Sequence, residues 1–373
     1  MIATPRYRRG LHVLAVIVAG WTLFMIIAGG MVTSQNAGDS VPDWPLSYGS
    51  LLPPMVGNVF WEHGHRLVGM ALGLLALALT IWILRVEHRP RVRLLGWLAF
   101  PAVCAQGLLG GLRVKLISSE TIQNLLFANP TGADIEKLRV GVAIFHTATA
   151  QLIFCMMVVI AVVTSRRWLS VARSEWIPGC VDCGYDLRGR DDAPMRCPEC
   201  GKDQVREAPA VAAGAKRLRA LGQVTLAIIF VQLLLGALRR QTDGTIWFHA
   251  IGAGLVALHV GLLARRALGG FAHVPAIAQP AVTLVIMLAG QLVLGVIAWL
   301  LTNQAIVNSL HLPQIRGSAE AASALLTAHL ALGAGLFAWT VVLVARSRHH
   351  VVTRATDPAA DELTTLSGRL AST

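Results

Sequence analysis

The pentapeptide His65-Arg66-Leu67-Val68-Gly69 opens one long apolar stretch of this chain, and His249-Ala250-Ile251-Gly252-Ala253 opens another. Two further histidines near the starts of apolar stretches complete the pattern. His146 follows His65 by 81 residues, and His329 follows His249 by 80. The two pairs are therefore offset by 184 and 183 residues. An imidazole within an apolar helix is costly unless it has a partner, so a duplicated set points to a duplicated ligand site.

Composition places these stretches in a bilayer. The chain is 55% hydrophobic and 14% charged, with mean hydropathy +0.60, whereas soluble domains are about 25% charged. Eight segments, 11–33, 66–84, 94–112, 141–164, 220–238, 246–264, 280–301 and 322–345, are long and apolar enough to span a hydrocarbon core. The first is too long for a signal-peptide core and shows no small-residue cleavage site. A net charge of +12 could suggest nucleic acid, but the charges follow topology instead. With the N-terminus inside, 24 of the 32 Lys and Arg fall in inner segments, eleven of them within 165–219. This positive-inside bias predicts both termini in the cytoplasm and no nucleic-acid partner. The expected location is the inner, or plasma, membrane, in contact with membrane lipid. All four paired histidines then share one layer, near the outer ends of the even-numbered helices.

The halves echo each other beyond the histidines. Gln106-Gly107-Leu108-Leu109-Gly110 recurs as Gln291-Leu292-Val293-Leu294-Gly295, and a related run, Gln232 to Gly236, lies in helix five. Small residues also follow His146 (Ala148, Ala150) and His329 (Ala331, Gly333, Gly335), which would let a flat macrocycle or a neighbouring helix approach closely. Each repeat has an even number of spans, so the copies share one orientation. Two facing histidines per half suit an iron clamped from both sides within a haem. The fold class expected is an all-α polytopic membrane protein: eight transmembrane helices as two tandem four-helix bundles. The N-terminal half covers 1–165, a cytoplasmic linker 166–219, the C-terminal half 220–345, and a tail expected to be disordered 346–373.

The linker carries Cys180-x-x-Cys183 and Cys197-Pro-Glu-Cys200, separated by 13 residues. Two such knuckles can wrap one tetrahedral zinc with four thiolates. Gly184 and Gly201 follow the second cysteine of each knuckle, where the tight turn favours glycine. A cytoplasmic position argues against disulfides. The zinc-ribbon-like insert, 180–200, holds no spare ligand position, so a structural or adaptor role is expected. Cys104 and Cys155 lie in apolar helices and read as packing residues.

The densest polar cluster is Trp61-Glu62-His63-Gly64-His65-Arg66. Glu62 and His65 are three apart and share a helix face, so the carboxylate could accept protons from chemistry beside a metal ligand; a helix N-terminal acid is the bland alternative. Arg66 could pair with a porphyrin propionate or a lipid phosphate. His63 points elsewhere, toward solvent or a loop. The preceding outer loop contains Pro42-Asp43-Trp44-Pro45, a stiff turn whose Trp44 suits headgroup anchoring.

With its E-x-x-H-R motif (Glu62, His65, Arg66), its PDWP loop (Pro42 to Pro45) and a histidine on each even helix, the sequence resembles the haem A synthase family over all but the 166–219 insert and the tail. The resemblance implies a membrane oxidoreductase that oxidises the C8 methyl of haem O to a formyl, giving haem A for cytochrome oxidase assembly. The route implied is two successive hydroxylations followed by loss of water. It further implies that His249 and His329 ligate a haem B cofactor while His65 and His146 bracket the substrate haem O, with Glu62 assisting proton removal. Electrons would leave for an acceptor in the membrane, and haem O synthase and cytochrome oxidase subunits become expected partners. Homo-oligomerisation is left open. Two features depart from the family pattern. Val41 and Ser47 stand where many relatives carry a cysteine pair, and Thr33-Ser34-Gln35-Asn36-Ala37-Gly38 replaces the usual Arg-x-Thr-x-Ser-Gly. The competing reading is a dihaem b-type electron-transfer cytochrome. A transport role is disfavoured by the scarcity of intramembrane carboxylates.

Overall fold

In the computed structural model, the residues described are 2–3, 5–127, 129–171, 176–177, 179–187, 195–204, 210–211, 214–242, 246–302 and 319–352. Ten helices occur among them: α1 (Arg9–Ser34), α2 (Asn58–Val86), α3 (Pro90–Ser118), α4 (Glu120–Leu126), α5 (Gly132–Val163), α6 (Arg166–Leu169), α7 (Ala215–Gln241), α8 (Ile246–Phe271), α9 (Pro275–Thr302) and α10 (Ala319–His349). All but the short α4 and α6 are long and apolar enough to cross a membrane. They correspond one for one to the eight segments expected from hydropathy. The difference lies at the ends: α5 starts at Gly132, nine residues before the apolar run at 141, because Thr131 and Asp134 form a reciprocal capping box ahead of it. His146 and His329 consequently lie roughly three to four turns from the starts of their helices.

The helices form two rings of four. In the first, α1 packs on α2 and α5, and α3 packs on the same two; in the second, α7 and α9 each pack on α8 and α10. The rings join through α1 and α5 on one side and α7 and α10 on the other. Glycines set the closest crossings. A methyl added at Gly30 of α1 would lie 2.9 Å from Thr327 Cγ2 of α10, and one at Gly96 of α3 would lie 2.5 Å from Ile83 Cγ2 of α2. With little hydrophobic force between helices in lipid, such close backbone approach is a principal source of association.

Arginines finish the helix ends on the side of the chain's N-terminus. Arg89, paired with Glu87 at 2.6 Å, donates to Val163 O at the end of α5. Arg219 likewise donates to Ser347 O and Val351 O past the end of α10. A guanidinium there meets carbonyls with no partner inside the helix and the negative end of its dipole. The described part of the expected tail is thus structured: α10 runs to His349, and β6 (Val351–Val352) pairs in parallel with β5 (Ala210–Val211). The disorder expected beyond it, at 353–373, lies outside the described residues.

Two further short pairings frame the cysteine insert. β1 (Ile2–Ala3) runs parallel to β2 (Trp176–Ile177), and β3 (Met195–Arg196) is antiparallel to β4 (Asp203–Gln204). The insert docks on the N-terminal segment through Tyr7 N–H to Val181 O (2.6 Å) and Arg6 Nε to Asp182 O (2.8 Å). The Asp182 carboxylate also meets Arg166 at 3.1 Å and Lys202 at 3.2 Å.

Candidate functional site

Each of the four histidines rests on a glycine of the helix before it. A methyl built on Gly29, Gly110, Gly236 or Gly295 would lie 3.0, 3.2, 3.0 or 3.0 Å from Cε1 of His65, His146, His249 or His329, respectively. The small residues that let the imidazoles in are therefore on the facing helix, as well as on the histidine's own. One turn before each glycine stands a long side chain: Met25, Gln106, Gln232 and Gln291. Gln106 Nε2 donates to His146 O (2.6 Å) and its Oε1 accepts from Thr149 (2.8 Å). Gln232 Nε2 donates to His249 O (2.9 Å), and Gln291 Nε2 lies 3.2 Å from His329 Nε2. Met25 breaks the series, its methyl packing against Gly69.

In the C-terminal half the two imidazoles face each other, with centroids 6.2 Å apart and planes at 71°. Two rings bonded on opposite sides of one metal at about 2.0–2.1 Å have centres about 6 Å apart, so this pair fits a single iron between them. The Nδ1 atoms of His65, His146 and His329 are buried without a hydrogen-bond partner. Buried polar atoms left unpaired in the lipid-facing part of a protein are costly. Together with the glycine floors, they mark a donor set suited to a flat, metal-centred ligand in each half.

The N-terminal pair differs by what surrounds Glu62. Its Oε2 accepts from the backbone N–H of Ser40 (2.9 Å) and Val41 (3.0 Å), and its Oε1 pairs with Arg66 Nη2 at 2.6 Å. Arg66 in turn donates through Nη1 to Asp43 O (2.8 Å), Leu46 O and Ser47 Oγ (3.1 Å). Both side chains are nearly buried, so the pair binds the 40–47 loop to the start of α2. His63 belongs to the same cage. It is buried, with Nδ1 2.8 Å from Ser47 Oγ and Nε2 3.0 Å from Leu51 O; it meets the loop and not solvent. Trp44 is not a free headgroup anchor, since it packs on the bare backbone of Gly111 in α3. Asp39 reaches Arg113 of α3 (3.5 Å) and Arg139 of α5 (3.6 Å), so the loop ties together three helices of its half. Within it, burial raises the Asp43 carboxyl, but the N–H groups of Gly49 and Tyr48 outweigh that and hold it below the ordinary carboxylate range. The two Asp43 hydrogen bonds therefore persist at neutral pH and are lost only as pH falls through this lowered value.

The four insert cysteines also come together. Their sulfurs all lie within 4.8 Å of one another, with Cys180 and Cys200 3.7 Å apart and Cys183 and Cys197 3.5 Å apart, and none is in a disulfide. Thiolates about 2.3 Å from a common zinc would show this spacing. Gly184 (φ 84°) and Gly201 (φ 66°) take the left-handed conformation that the two knuckles require.

Fold and sites thus define a polytopic membrane protein with two histidine clamps, one per four-helix half. The chain is similar to curated haem A synthases: 38% identical over 109 residues to that of Exiguobacterium sp. (strain ATCC BAA-1283 / AT1b), covering 28% of this chain and 36% of the relative. It is 34% identical over 123 residues to that of Shouchella clausii (32% and 40%), and 33% over 107 residues to that of Symbiobacterium thermophilum (28% and 35%). The chain thus spans about two fifths or less of the length of the curated relatives it matches. No family model matches it. Eight matches bear the haem A synthase name; they support that family and give no support to a dihaem cytochrome.

If Glu62 and Arg66 hold the loop, Glu62→Ala leaves Arg66 without its buried carboxylate. Truncating one partner of a buried ion pair costs about 3–5 kcal/mol. The expected result is a lower thermal midpoint in detergent and faster amide exchange at Ser40 and Val41 than in wild type. Unchanged protection at these two amides would show that the loop is held by other contacts.

Proposed function

We propose that this chain is a haem A synthase, a membrane enzyme oxidising the C8 methyl of haem O to a formyl by two successive hydroxylations and loss of water. The observation that carries the reading is the divergence of two like clamps: among the described residues, only the His65–His146 half has a carboxylate and an arginine locked beneath an outer loop. His249 and His329 would hold a resident haem B, which when bound would supply one-electron transfer to an acceptor in the membrane.

The chain's own residues divide the remaining work. His65 and His146 orient the substrate macrocycle between α2 and α5, over the floors given by Gly29 and Gly110. Glu62 assists proton removal at its carboxylate. Arg66 fixes that carboxylate in position, and the caged 40–47 loop excludes water from the edge of the half. Both termini and the insert lie in the cytoplasm, and the membrane is the plasma membrane, as the charge bias supports. Haem O synthase and cytochrome oxidase subunits are the partners this activity calls for. In the insert, Cys180, Cys183, Cys197 and Cys200 hold a structural zinc that stiffens the docking surface for Tyr7 and Arg6.

Expression with haem O available, followed by mass analysis of extracted haems, tests the activity. Haem A accumulates with wild type and falls at least tenfold with Glu62→Ala. Equal haem A from both would remove Glu62 from the mechanism, and none from wild type under any redox condition would overturn the proposal. Metal analysis of Cys180→Ser/Cys183→Ser protein tests the insert, with zinc dropping from about one per chain to a small fraction; unchanged zinc would refute the assignment.

A further inference from the structure

One face of α7 repeats the pattern that floors the histidines and then extends it. Gln232, Gly236 and Arg239 are spaced i, i+4, i+7 and share a face, with Gly236 under His249. In α3 the same spacing gives Gln106, Gly110 and Arg113, with Gly110 under His146. The two arginines have different surroundings. Arg113 is engaged by Gly38 O at 3.0 Å and by the Asp39 carboxylate at 3.5 Å. Among the described residues, Arg239 donates only to Thr242 O, at 3.3 Å, and its Nε is buried with no partner. Its neighbour Arg240 donates to Gly30 O (2.7 Å) and to Ser34 Oγ, both on α1.

Among the described residues, neither Arg239 nor Arg240 meets a carboxylate. Two adjacent, largely buried guanidinium groups without counter-charge at the end of a membrane helix are costly. They lie beyond the His249–His329 pair toward the end of α7: Arg239 is about one turn past Gly236, which floors His249, and Arg240 bonds Gly30, which packs on Thr327 two residues before His329. A macrocycle held between those two imidazoles carries two carboxylates on one edge, and planar guanidinium forks match carboxylates in a bidentate way. We infer that Arg239 and Arg240 form the anion seat for the carboxylate edge of the macrocycle clamped by His249 and His329. Arg240, through Gly30 and Ser34, ties this seat to α1, whose Gly29 floors His65. The inference rests on the proposed haem-binding role of the C-terminal pair and adds the residues that orient the ligand about its axial bonds.

The test uses the full chain in detergent, prepared from haem-limited cells in a His65→Ala background so that only the second clamp is intact. Haem B and its dimethyl ester, in which both carboxylates are blocked, are titrated in parallel and followed by the low-spin bis-histidine band. The parent should bind haem B roughly tenfold or more tightly than the ester, as hydrogen bonds to charged groups warrant. Arg239→Gln/Arg240→Gln should bring that ratio near one while affinity for the ester stays within about twofold, and Arg239→Lys/Arg240→Lys should restore part of the preference. An undiminished preference in the double Gln variant would overturn the seat, as would an equal loss for both ligands, which marks a structural or lipid-binding role. If the parent gives no low-spin band with either ligand, the haem reading of the C-terminal pair fails, and the seat falls with it.

Discussion

The arrangement depends on an imidazole set, Cε1 first, against a bare stretch of helix backbone. In lipid, a histidine side chain can enter a helix bundle only if the neighbouring backbone comes close and the ring nitrogens have something to bind. Gly29, Gly110, Gly236 and Gly295 meet the first requirement for His65, His146, His249 and His329, each leaving about 3 Å where a methyl would stand. The second requirement is what makes the site a ligand site. Repeating this one contact four times, in two rings of four helices, generates both the duplicated architecture and the two clamps.

Duplication does not make the halves equivalent. In the N-terminal half, polar contacts concentrate on the loop over the clamp: Glu62, Arg66 and His63 grip residues 40–51 from α2, while Arg113 and Arg139 hold Asp39 from α3 and α5. Val41 and Ser47, which occupy the positions of a cysteine pair in many members of the family the sequence resembles, are both fully buried, and Ser47 bonds His63 and Arg66. A network of hydrogen bonds thus closes this loop without a covalent tie. In the C-terminal half the polar investment among the described residues is a facing imidazole pair and two arginines that meet no carboxylate. On the proposed function, one half would cover its ligand's edge and the other would retain its ligand.

The spans, the two rings and the four histidines were legible in the sequence because each rests on a strong periodic signal: apolar runs of membrane length and a repeat offset kept within one residue. The four cysteines were equally legible, since ligand spacing within a knuckle leaves little freedom. Less legible was what the side chains near the histidines touch. Glu62 and His65 share a helical face by spacing, yet Glu62 Oε1 is taken by Arg66 one turn on and Oε2 by the N–H groups of Ser40 and Val41, loop contacts 20 or so residues away in sequence that no local pattern encodes. Trp44 looked like an interfacial anchor and instead fills the space above Gly111. The Gln-x-x-x-Gly runs were visible as repeats, but their role as floors under the next helix's histidine appears only once the helices are packed. Nothing in the sequence marks Arg239 and Arg240; that neither meets a carboxylate among the described residues is a fact of three dimensions.

On the proposed function, two copies of one clamp have diverged: one retains a haem and the other works on one. The most direct measurement is resident haem B in purified wild type, His65→Ala and His249→Ala, read from the low-spin optical bands and from extracted haem. His249→Ala should lose the resident haem while His65→Ala keeps it. Equal loss in both variants, or loss from His65→Ala alone, would contradict it.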